Sequence, residues 1–215
     1  MRERRTFRDR TDAGRTLASL LTNYAGRPDV IVRGLPRGGV PVAAEVAAGL
    51  GAPLDVLIVR KLGVPGHDEL AMGAIASGGV QVLNASVIDG LSITQEEIDE
   101  VAAREAHELD RRARAYRGSG REPPDLTGKV VIVVDDGLAT GSTMRAAVAA
   151  LRVQRPSRIV VAVPVGAPST CDELATEADE VVCARMPETF HAVGQWYEDF
   201  SPPSEAEIGS FLGGG

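Results

Sequence analysis

The fourteen residues from position 130 to position 143, VVIVVDDGLATGST, restrict the fold more than any other part of the sequence. Five consecutive β-branched apolar residues predict a central strand that is buried on both faces. Two aspartates, Asp135 and Asp136, follow it directly, and small residues then lead into a helix predicted over 143–153. A buried strand that passes straight into a helix is typical of a parallel sheet in an α/β protein.

Short β-branched runs alternate with helical stretches along most of the chain, as in βαβ units. Further strands are predicted over 29–34, 54–59, 158–163 and 180–184, and further helices over 11–24, 40–50 and 94–116. The sequence therefore predicts an α/β fold with a doubly wound, mainly parallel sheet of about five strands. In such sheets, ligands bind at the carboxyl ends of the strands.

Two segments differ from this alternation. Residues 63–79 are punctuated by glycine and are predicted to form a mobile loop, with 80–83 as one half of a hairpin. The helix over 94–116 opens with a capping box of Thr94 and Glu97, and its charged residues are expected to form a solvated face. Because no linker or repeat divides residues 1–215, a single domain is expected.

Composition and charge exclude several classes of protein. With 215 residues, 44% of them hydrophobic, the chain can bury a real core, which argues against disorder. The net charge of −7 argues against nucleic-acid binding, which needs a basic face. Ten acidic residues and one basic residue, Arg185, lie between positions 170 and 215, so the excess acidity belongs to the tail.

The chain carries no sign of secretion or of a metal centre. Cys171 and Cys183 have neither CxxC spacing nor histidines at ligand spacing, so two reduced thiols are expected. The charged N-terminus does not match a secretory signal, and no apolar run approaches the length of a membrane span. We therefore expect a cytoplasmic protein that does not bind membranes.

The turn after the central strand has the chemistry of an anion site. Small residues let backbone amides converge, and the following helix adds partial positive charge at its N-terminus. The hydroxyl groups of Thr140, Ser142 and Thr143 can donate to phosphate oxygens. The neighbouring carboxylates of Asp135 and Asp136 suit sugar hydroxyls or Mg²⁺. A ribose 5-phosphate combines these two requirements.

Other interpretations of the same residues are weaker. Receiver domains also place paired aspartates after a buried strand, but they need a downstream lysine, and this chain has none after Lys129. A Walker A loop fails at positions 34–41, because Val40 and Pro41 replace the required lysine and hydroxyl residue. A plain strand–helix turn with capping hydroxyl groups stays open.

With its strand, DDGLATGST resembles the phosphoribosyl-pyrophosphate (PRPP) signature of type I phosphoribosyltransferases, and the resemblance spans most of the chain. It implies that Asp135 and Asp136 hold the ribose hydroxyls. It also implies that the 5-phosphate is bound by the turn formed by Leu138, Ala139, Thr140, Gly141, Ser142 and Thr143. Gly137 departs from the bulky apolar residue usual after the acidic pair.

Two further segments support the resemblance. GLPRGG at 34–39 is similar to the family's pyrophosphate loop, in which Arg37, Gly38 and Gly39 would bind pyrophosphate and the Pro36–Arg37 peptide is expected to be cis. Arg60 and Lys61, at the end of the second predicted strand, are similar to a basic pair that touches pyrophosphate in adenine and orotate phosphoribosyltransferases.

That basic pair opens the predicted mobile loop. His67, Asp68 and Glu69 in the loop are either proton-transfer groups or solvated residues.

The resemblance implies transfer of a phosphoribosyl group from PRPP to a nitrogenous base, with release of pyrophosphate, as in nucleotide metabolism. Lys61, Asp135 and Asp136 would be catalytic. Mg²⁺ is the implied cofactor, held through PRPP and by the two aspartates, and a homodimer is the family expectation. Ala139 stands where 6-oxopurine enzymes have an aspartate, which favours an adenine- or orotate-like acceptor over hypoxanthine or guanine.

The family builds a base-binding hood after the last strand, here at about 185–215. Phe190 or Trp196 could stack on a base there, or both could pack the hood's own core. Two other functions stay open: a PRPP-binding regulator of nucleic acid, and a hydrolase of PRPP or a related sugar phosphate. The regulator rests on the basic residues at the start of the chain, which otherwise form a solvated arm: Arg2, Arg4, Arg5, Arg8 and Arg10.

Overall fold

The computed structural model describes residues 6–117 and 123–213, and its strands form two sheets. The strands are β1 (Val30–Gly34), β2 (Leu54–Val56), β3 (Val59–Val64), β4 (His67–Ala76), β5 (Val80–Leu83), β6 (Val130–Val134), β7 (Arg158–Val165) and β8 (Glu180–Arg185). Five of them pair in parallel in the order β2-β1-β6-β7-β8. The predicted doubly wound parallel sheet is therefore confirmed.

Helices cover both faces of this sheet. The helices of the described chain are α1 (Arg10–Leu20), α2 (Gly39–Leu50), α3 (Ala85–Leu91), α4 (Gln95–Arg117), α5 (Ser142–Val153), α6 (Pro168–Leu174) and α7 (Glu205–Gly213), with short 3₁₀ turns at Thr22–Tyr24 and Val193–Trp196. Helices α1 and α2 pack on one face of the parallel sheet and α5 and α6 on the other, whereas α3, α4 and α7 pack in the core of the second sheet. Along β6, Val130 and Ile132 pack with α2, whereas Val131 and Val133 pack with α5. Because both faces are covered, β6 needs an apolar side chain at every position.

The second sheet corrects two predictions. The segment 54–59 was expected to form one strand, but the chain leaves the parallel sheet after Val56 and begins β3 at Val59. The segment 63–79, expected to be a mobile loop, consists mainly of β4, which pairs antiparallel with β3 and β5. Glycines misled this prediction, because they mark the turns of a hairpin: Gly66, Gly78 and Gly79 all have positive φ. The half-hairpin at 80–83 is confirmed.

Helix α4 packs against the second sheet as its apolar stripe predicts. Its buried residues, Ile98, Val101, Leu109 and Tyr116, join the core formed with β3, β4 and α7. The capping box is confirmed: the Thr94 amide donates to Glu97 Oε2 at 2.8 Å, and the Glu97 amide donates to Thr94 Oγ1 at 3.3 Å.

Two charged residues of α4 contradict the predicted solvated face. The carboxylate of Glu105 pairs with Arg60, and the guanidinium of Arg117 pairs with Asp55. Both side chains are at most 15% exposed, because Glu105 packs on β3 and Arg117 packs on β2 rather than facing water.

A buried ion network joins the parallel sheet to the end of helix α4. Asp55 on β2 accepts hydrogen bonds from Arg33 Nη2 at 2.9 Å and from Arg117 Nε at 2.8 Å. Both arginines also donate to the carbonyl of Val56. Arg33 is fully buried, and burial lowers its pKa to about 10, so it is still charged at neutral pH. Two buried cations therefore share the single carboxylate of Asp55.

Other features of the fold are local. Cys171 and Cys183 are free thiols that meet at Gly166, where an added Cβ would lie 2.6 Å from one sulfur and 3.3 Å from the other.

In the part of the chain that the structure describes, no helix has the length and apolar character needed to cross a membrane.

We predict that Asp55→Asn lowers the free energy of unfolding by about 3–5 kcal/mol, because it leaves two buried guanidinium groups without a counter-charge. Urea unfolding followed by circular dichroism measures this change. Asp29→Asn is the matched control: it breaks the exposed pair with Arg27, so the expected loss is at most about 1 kcal/mol. Equal losses for the two variants would contradict the role given to the network.

Candidate active site

The carboxyl ends of β1 and β6 lie side by side, with Gly34 paired to Val134. The segments that follow these strands therefore leave the sheet at the same edge. Their first contact is a hydrogen bond of 2.8 Å from the Leu35 amide to the carbonyl of Val134. The structure thus brings together the glycine loop at 34–39 and the acidic pair, which are about a hundred residues apart in the sequence.

The glycine loop packs on the acidic pair without space for side chains. A Cβ added to Gly39 would lie 2.6 Å from the carbonyl oxygen of Val134 and 2.8 Å from Asp135 Cα. A Cβ added to Gly38 would collide with the carboxylate of Asp136. The Pro36–Arg37 peptide is cis, as the family resemblance implies, and Arg37 is exposed.

The turn that follows the acidic pair forms a cavity of about 170 Å³. Its lining includes the six residues predicted to bind a 5-phosphate, namely Leu138, Ala139, Thr140, Gly141, Ser142 and Thr143. Gly141, with φ of 70°, caps α5, which begins at Ser142 and adds partial positive charge at this point. The geometry therefore matches an anion cradle at a helix N-terminus.

Contacts with β7 and α6 hold this turn from behind. The Leu138 amide donates to the carbonyl of Val165 at 2.9 Å, and the carbonyl of Leu138 accepts from Ala167 at 3.0 Å. The hydroxyl of Thr170 donates to the carbonyl of Ala139 at 2.7 Å. These bonds fix the backbone that would surround a bound phosphate.

The structure explains why glycine stands at position 137. An added Cβ there would lie 2.5 Å from Cγ1 of Val193, which reaches the cavity from the C-terminal segment. Val193 therefore leaves no room for a side chain at position 137.

The two aspartates share a poorly solvated position. Burial raises the pKa of both carboxyl groups, and the charge of Asp136 raises that of Asp135 further. Arg10 acts in the opposite direction on Asp136, which accepts from its Nε at 2.9 Å. The Tyr197 hydroxyl donates to the backbone carbonyl of Asp136 at 2.7 Å. Ligands that donate hydrogen bonds or carry positive charge would therefore stabilise the charged form of both carboxylates.

Arg10 corrects the expectation of a solvated basic arm, because it is only 9% exposed. Neither Arg10 nor Tyr197 was found from the sequence. Both reach Asp136 through tertiary packing across more than sixty residues, and no local motif marks such a contact. Of the other arm residues, Arg8 is exposed, and Arg2, Arg4 and Arg5 lie outside the described residues.

The predicted base-stacking residues lie in the C-terminal segment, which is described as far as residue 213. Trp196 is 7% exposed and packs in a cluster with Phe7 and Tyr197, whereas Phe190 is half-buried at the edge of that cluster. Helix α7 packs elsewhere, against α4. Within the described part of the predicted hood, the segment at 190–200 therefore lies beside the acidic pair, and α7 does not.

Arg60 and Lys61 lie on β3 of the second sheet rather than at the end of a parallel strand. They line a cavity of about 630 Å³ together with Thr143 and two residues of α4 that sequence reasoning missed, Arg104 and Glu105. Arg60 Nη2 lies 2.6 Å from Glu105 Oε2, while Lys61 is exposed. Thr143 belongs to both cavities, so the basic pair adjoins the turn at 138–143. His67 is exposed at the hairpin turn, and the side chains of Asp68 and Glu69 lie outside the described part.

Comparison with known proteins agrees with this geometry. Residues 8–200 match the family model described as phosphoribosyl transferase domain, and the chain belongs to this family. A Mycobacterium tuberculosis protein provisionally named a phosphoribosyl transferase is 49% identical over 206 residues, which cover 96% of this chain and 46% of the relative. The chain thus spans about half the length of that curated relative.

For two further relatives, the matched region covers most of the relative's own length. The Chloroflexus aurantiacus protein named bifunctional protein PyrR is 33% identical over 165 residues, covering 71% of this chain and 84% of the relative. The crystal structure of the protein TT1426 from Thermus thermophilus shares 42% identity and a TM-score of 0.87, covering 96% of this chain and 97% of that one.

We predict that Gly39→Ala lowers the free energy of unfolding by about 1–3 kcal/mol, because the new methyl group would press on the backbone of the acidic pair. Gly90→Ala is the control: nothing lies within 4 Å of its added Cβ, and alanine favours the helix by up to about 1 kcal/mol. Urea midpoints measure both. A Gly39→Ala protein as stable as the wild type would show that the two loops are not in close contact.

Proposed function

We propose that this chain transfers a phosphoribosyl group from PRPP to a nitrogenous base and releases pyrophosphate, with Mg²⁺ as cofactor. The observation that carries the proposal is the meeting of three features at one sheet edge: the acidic pair, the anion cradle at the start of α5, and the glycine loop at 34–39. PRPP presents a diol, a 5-phosphate and a pyrophosphate, which are the groups that these features suit. Membership of the phosphoribosyl transferase family supports the same reaction.

The chain's residues have separable roles in binding. The N-terminus of α5 and the hydroxyl groups of Thr140 and Ser142 would hold the 5-phosphate. Asp135 and Asp136 would accept hydrogen bonds from the ribose hydroxyls, which favours the charged form of carboxylates whose pKa is raised by burial. Substrate binding would therefore offset part of the electrostatic cost of charging two neighbouring buried carboxylates.

In the reaction, the bond between C1 of the ribose and pyrophosphate oxygen breaks, and the electron pair leaves with that oxygen. A nitrogen of the base forms the new bond to C1, and its proton passes to the departing pyrophosphate or to solvent. Negative charge grows on the pyrophosphate, where Arg37, Lys61 and the amides of the glycine loop would stabilise it. Glu105 would hold Arg60 at the wall of the cavity that Lys61 also lines. Positive charge grows on the sugar, next to the carboxylates.

The acidic pair also fits the proposed Mg²⁺. Carboxylate oxygens are ligands that this ion prefers. Burial and the neighbouring charge of Asp136 raise the pKa of Asp135, and a bound cation would favour its charged form. Within the described residues no cluster of three metal-ligating side chains exists, so Asp135 and Asp136 would hold the ion together with oxygens of PRPP. When bound, Mg²⁺ supplies charge neutralisation on the pyrophosphate.

The acceptor is proposed to be adenine- or orotate-like, because Ala139 offers no carboxylate to a 6-oxopurine ring. Of the two predicted stacking residues, Phe190 is the better supported, since the packing of Trp196 leaves little of its ring accessible. A panel of purines, pyrimidines and nicotinate, followed by pyrophosphate release, identifies the acceptor. Release without any base would instead favour the hydrolase.

We predict that calorimetry detects PRPP binding in the presence of Mg²⁺ and that the double variant Asp135→Asn, Asp136→Asn weakens it by about 100-fold or more, because two charged acceptors of ribose hydroxyls are lost. Asp110→Asn, an exposed change on α4, is the control and should bind like the wild type. Circular dichroism checks that the double variant is folded. Wild-type affinity in the folded double variant would contradict the site assignment.

We predict that Lys61→Ala slows pyrophosphate release by about 100-fold while the protein stays folded, because it removes a positive charge that stabilises the leaving group. The sequence provides a matched control in Lys129, the other lysine of the chain, which precedes β6 at the opposite edge of the sheet. Lys129→Ala should therefore keep the wild-type rate. Equal rates for both variants would exclude Lys61 from the reaction.

A PRPP-binding regulator is the second candidate, favoured by the relative that is named bifunctional. The N-terminal arm gives it less support than the sequence suggested, because Arg10 is buried against Asp136 and cannot meet a nucleic acid. RNA or DNA binding measured with and without PRPP separates the two functions: a regulator would change its nucleic-acid affinity when PRPP is added.

A further inference from the structure

Arg10, the first residue of α1, contacts the acidic pair from the protein interior. Its Nε and Nη2 lie 2.9 and 2.8 Å from Oδ2 of Asp136, and its Nη1 donates to the carbonyl of Ser201 at 2.8 Å. The guanidinium carbon lies 4.1 Å from the ring centroid of Phe200 and 5.9 Å from that of Tyr197. The C-terminal segment thus fixes the guanidinium on several sides at once.

We propose that Arg10 is a positioning residue for the ribose-binding carboxylate, an inference that rests on the proposed function. Both of its contacts with Asp136 use the same oxygen, Oδ2. Arg10 therefore holds one carboxylate oxygen and leaves the other, Oδ1, for a ribose hydroxyl. The side chain of Arg10 is 10% exposed, so it acts through Asp136 rather than on the substrate.

The same side chain also supports the glycine loop. A Cβ added to Gly38 would lie 3.2 Å from Nε of Arg10, besides colliding with the carboxylate of Asp136. The guanidinium, the carboxylate and the loop backbone are therefore packed in direct contact. A change in the orientation of Arg10 would displace the carboxylate proposed to bind ribose and the loop proposed to bind pyrophosphate.

Charge and shape both favour arginine at this position. Asp135 and Asp136 are neighbouring carboxylates in a poorly solvated place, and Arg10 supplies a positive charge beside them. A lysine would keep the charge, but its single ammonium group cannot contact Asp136, Ser201 and the Phe200 ring together. Lysine at position 10 should therefore keep part of the positioning of the Asp136 carboxylate, whereas alanine should keep none of it.

The test is a double-mutant cycle on PRPP affinity, measured by calorimetry with Mg²⁺ for wild type, Arg10→Ala, Asp136→Asn and the combined variant. We predict that Arg10→Ala weakens binding by about 10- to 100-fold and that Arg10→Lys recovers part of this loss. In the Asp136→Asn background, Arg10→Ala should cost less than about threefold, because its target is already altered. Arg8→Ala, an exposed change that breaks only the pair with Asp12, is the control.

The outcomes separate the inference from the proposed function. If the wild type binds no PRPP, the proposed function falls and this inference with it. If the wild type binds and Arg10→Ala binds equally well, only the inference falls. Independent, additive losses in the cycle would show that Arg10 acts on the fold in general and would overturn a positioning role. If Arg10→Ala does not fold, the same cycle is run with Arg10→Lys, whose loss must also disappear in the Asp136→Asn background.

Discussion

The parallel pairing of β1 with β6 is the constraint on which the candidate site depends. These strands are buried on both faces, so a shift of register by one residue would exchange the side chains that face α2 with those that face α5. The observed register ends both strands at the same level, with Gly34 opposite Val134. Two loops from distant parts of the sequence then meet where the sheet stops. The packing of the core thus determines the geometry of the site.

Close contact at this edge has an electrostatic cost. The loop at 34–39 lies so near the acidic pair that water is largely excluded, and burial raises the pKa of both carboxyl groups. A chain selected for stability alone would have little reason to keep two neighbouring carboxylates there. Their presence is better explained by a ligand that donates hydrogen bonds or brings a cation. The Asp55 network differs, since the buried anion there pairs with two arginines and needs no ligand to offset its charge.

The sequence predicts the parts of this molecule that depend on local patterns. The burial of residues 130–134, the turn into α5 and the capping box at Thr94 all follow from short-range periodicity and side-chain chemistry, and the structure has them at or within one residue of the predicted positions. The second sheet was missed because glycines in a hairpin resemble those of a loop when the partner strand is unknown. The contact of Glu105 with Arg60 was missed for a related reason, since it depends on how α4 packs against β3.

The start of the described chain and the segment at 196–201 meet beside the acidic pair, and this arrangement links the stability of that segment to the site. Phe7 pairs with Tyr197, and the Phe7 amide donates to the carbonyl of Trp196 at 2.8 Å. The strand-like contact fixes the start of α1, and thereby Arg10, against residues near 200. Any loosening of this C-terminal segment would free the guanidinium before it disturbed the central sheet. The orientation of the Asp136 carboxylate therefore depends on packing at the edge of the domain, while its position depends on the core.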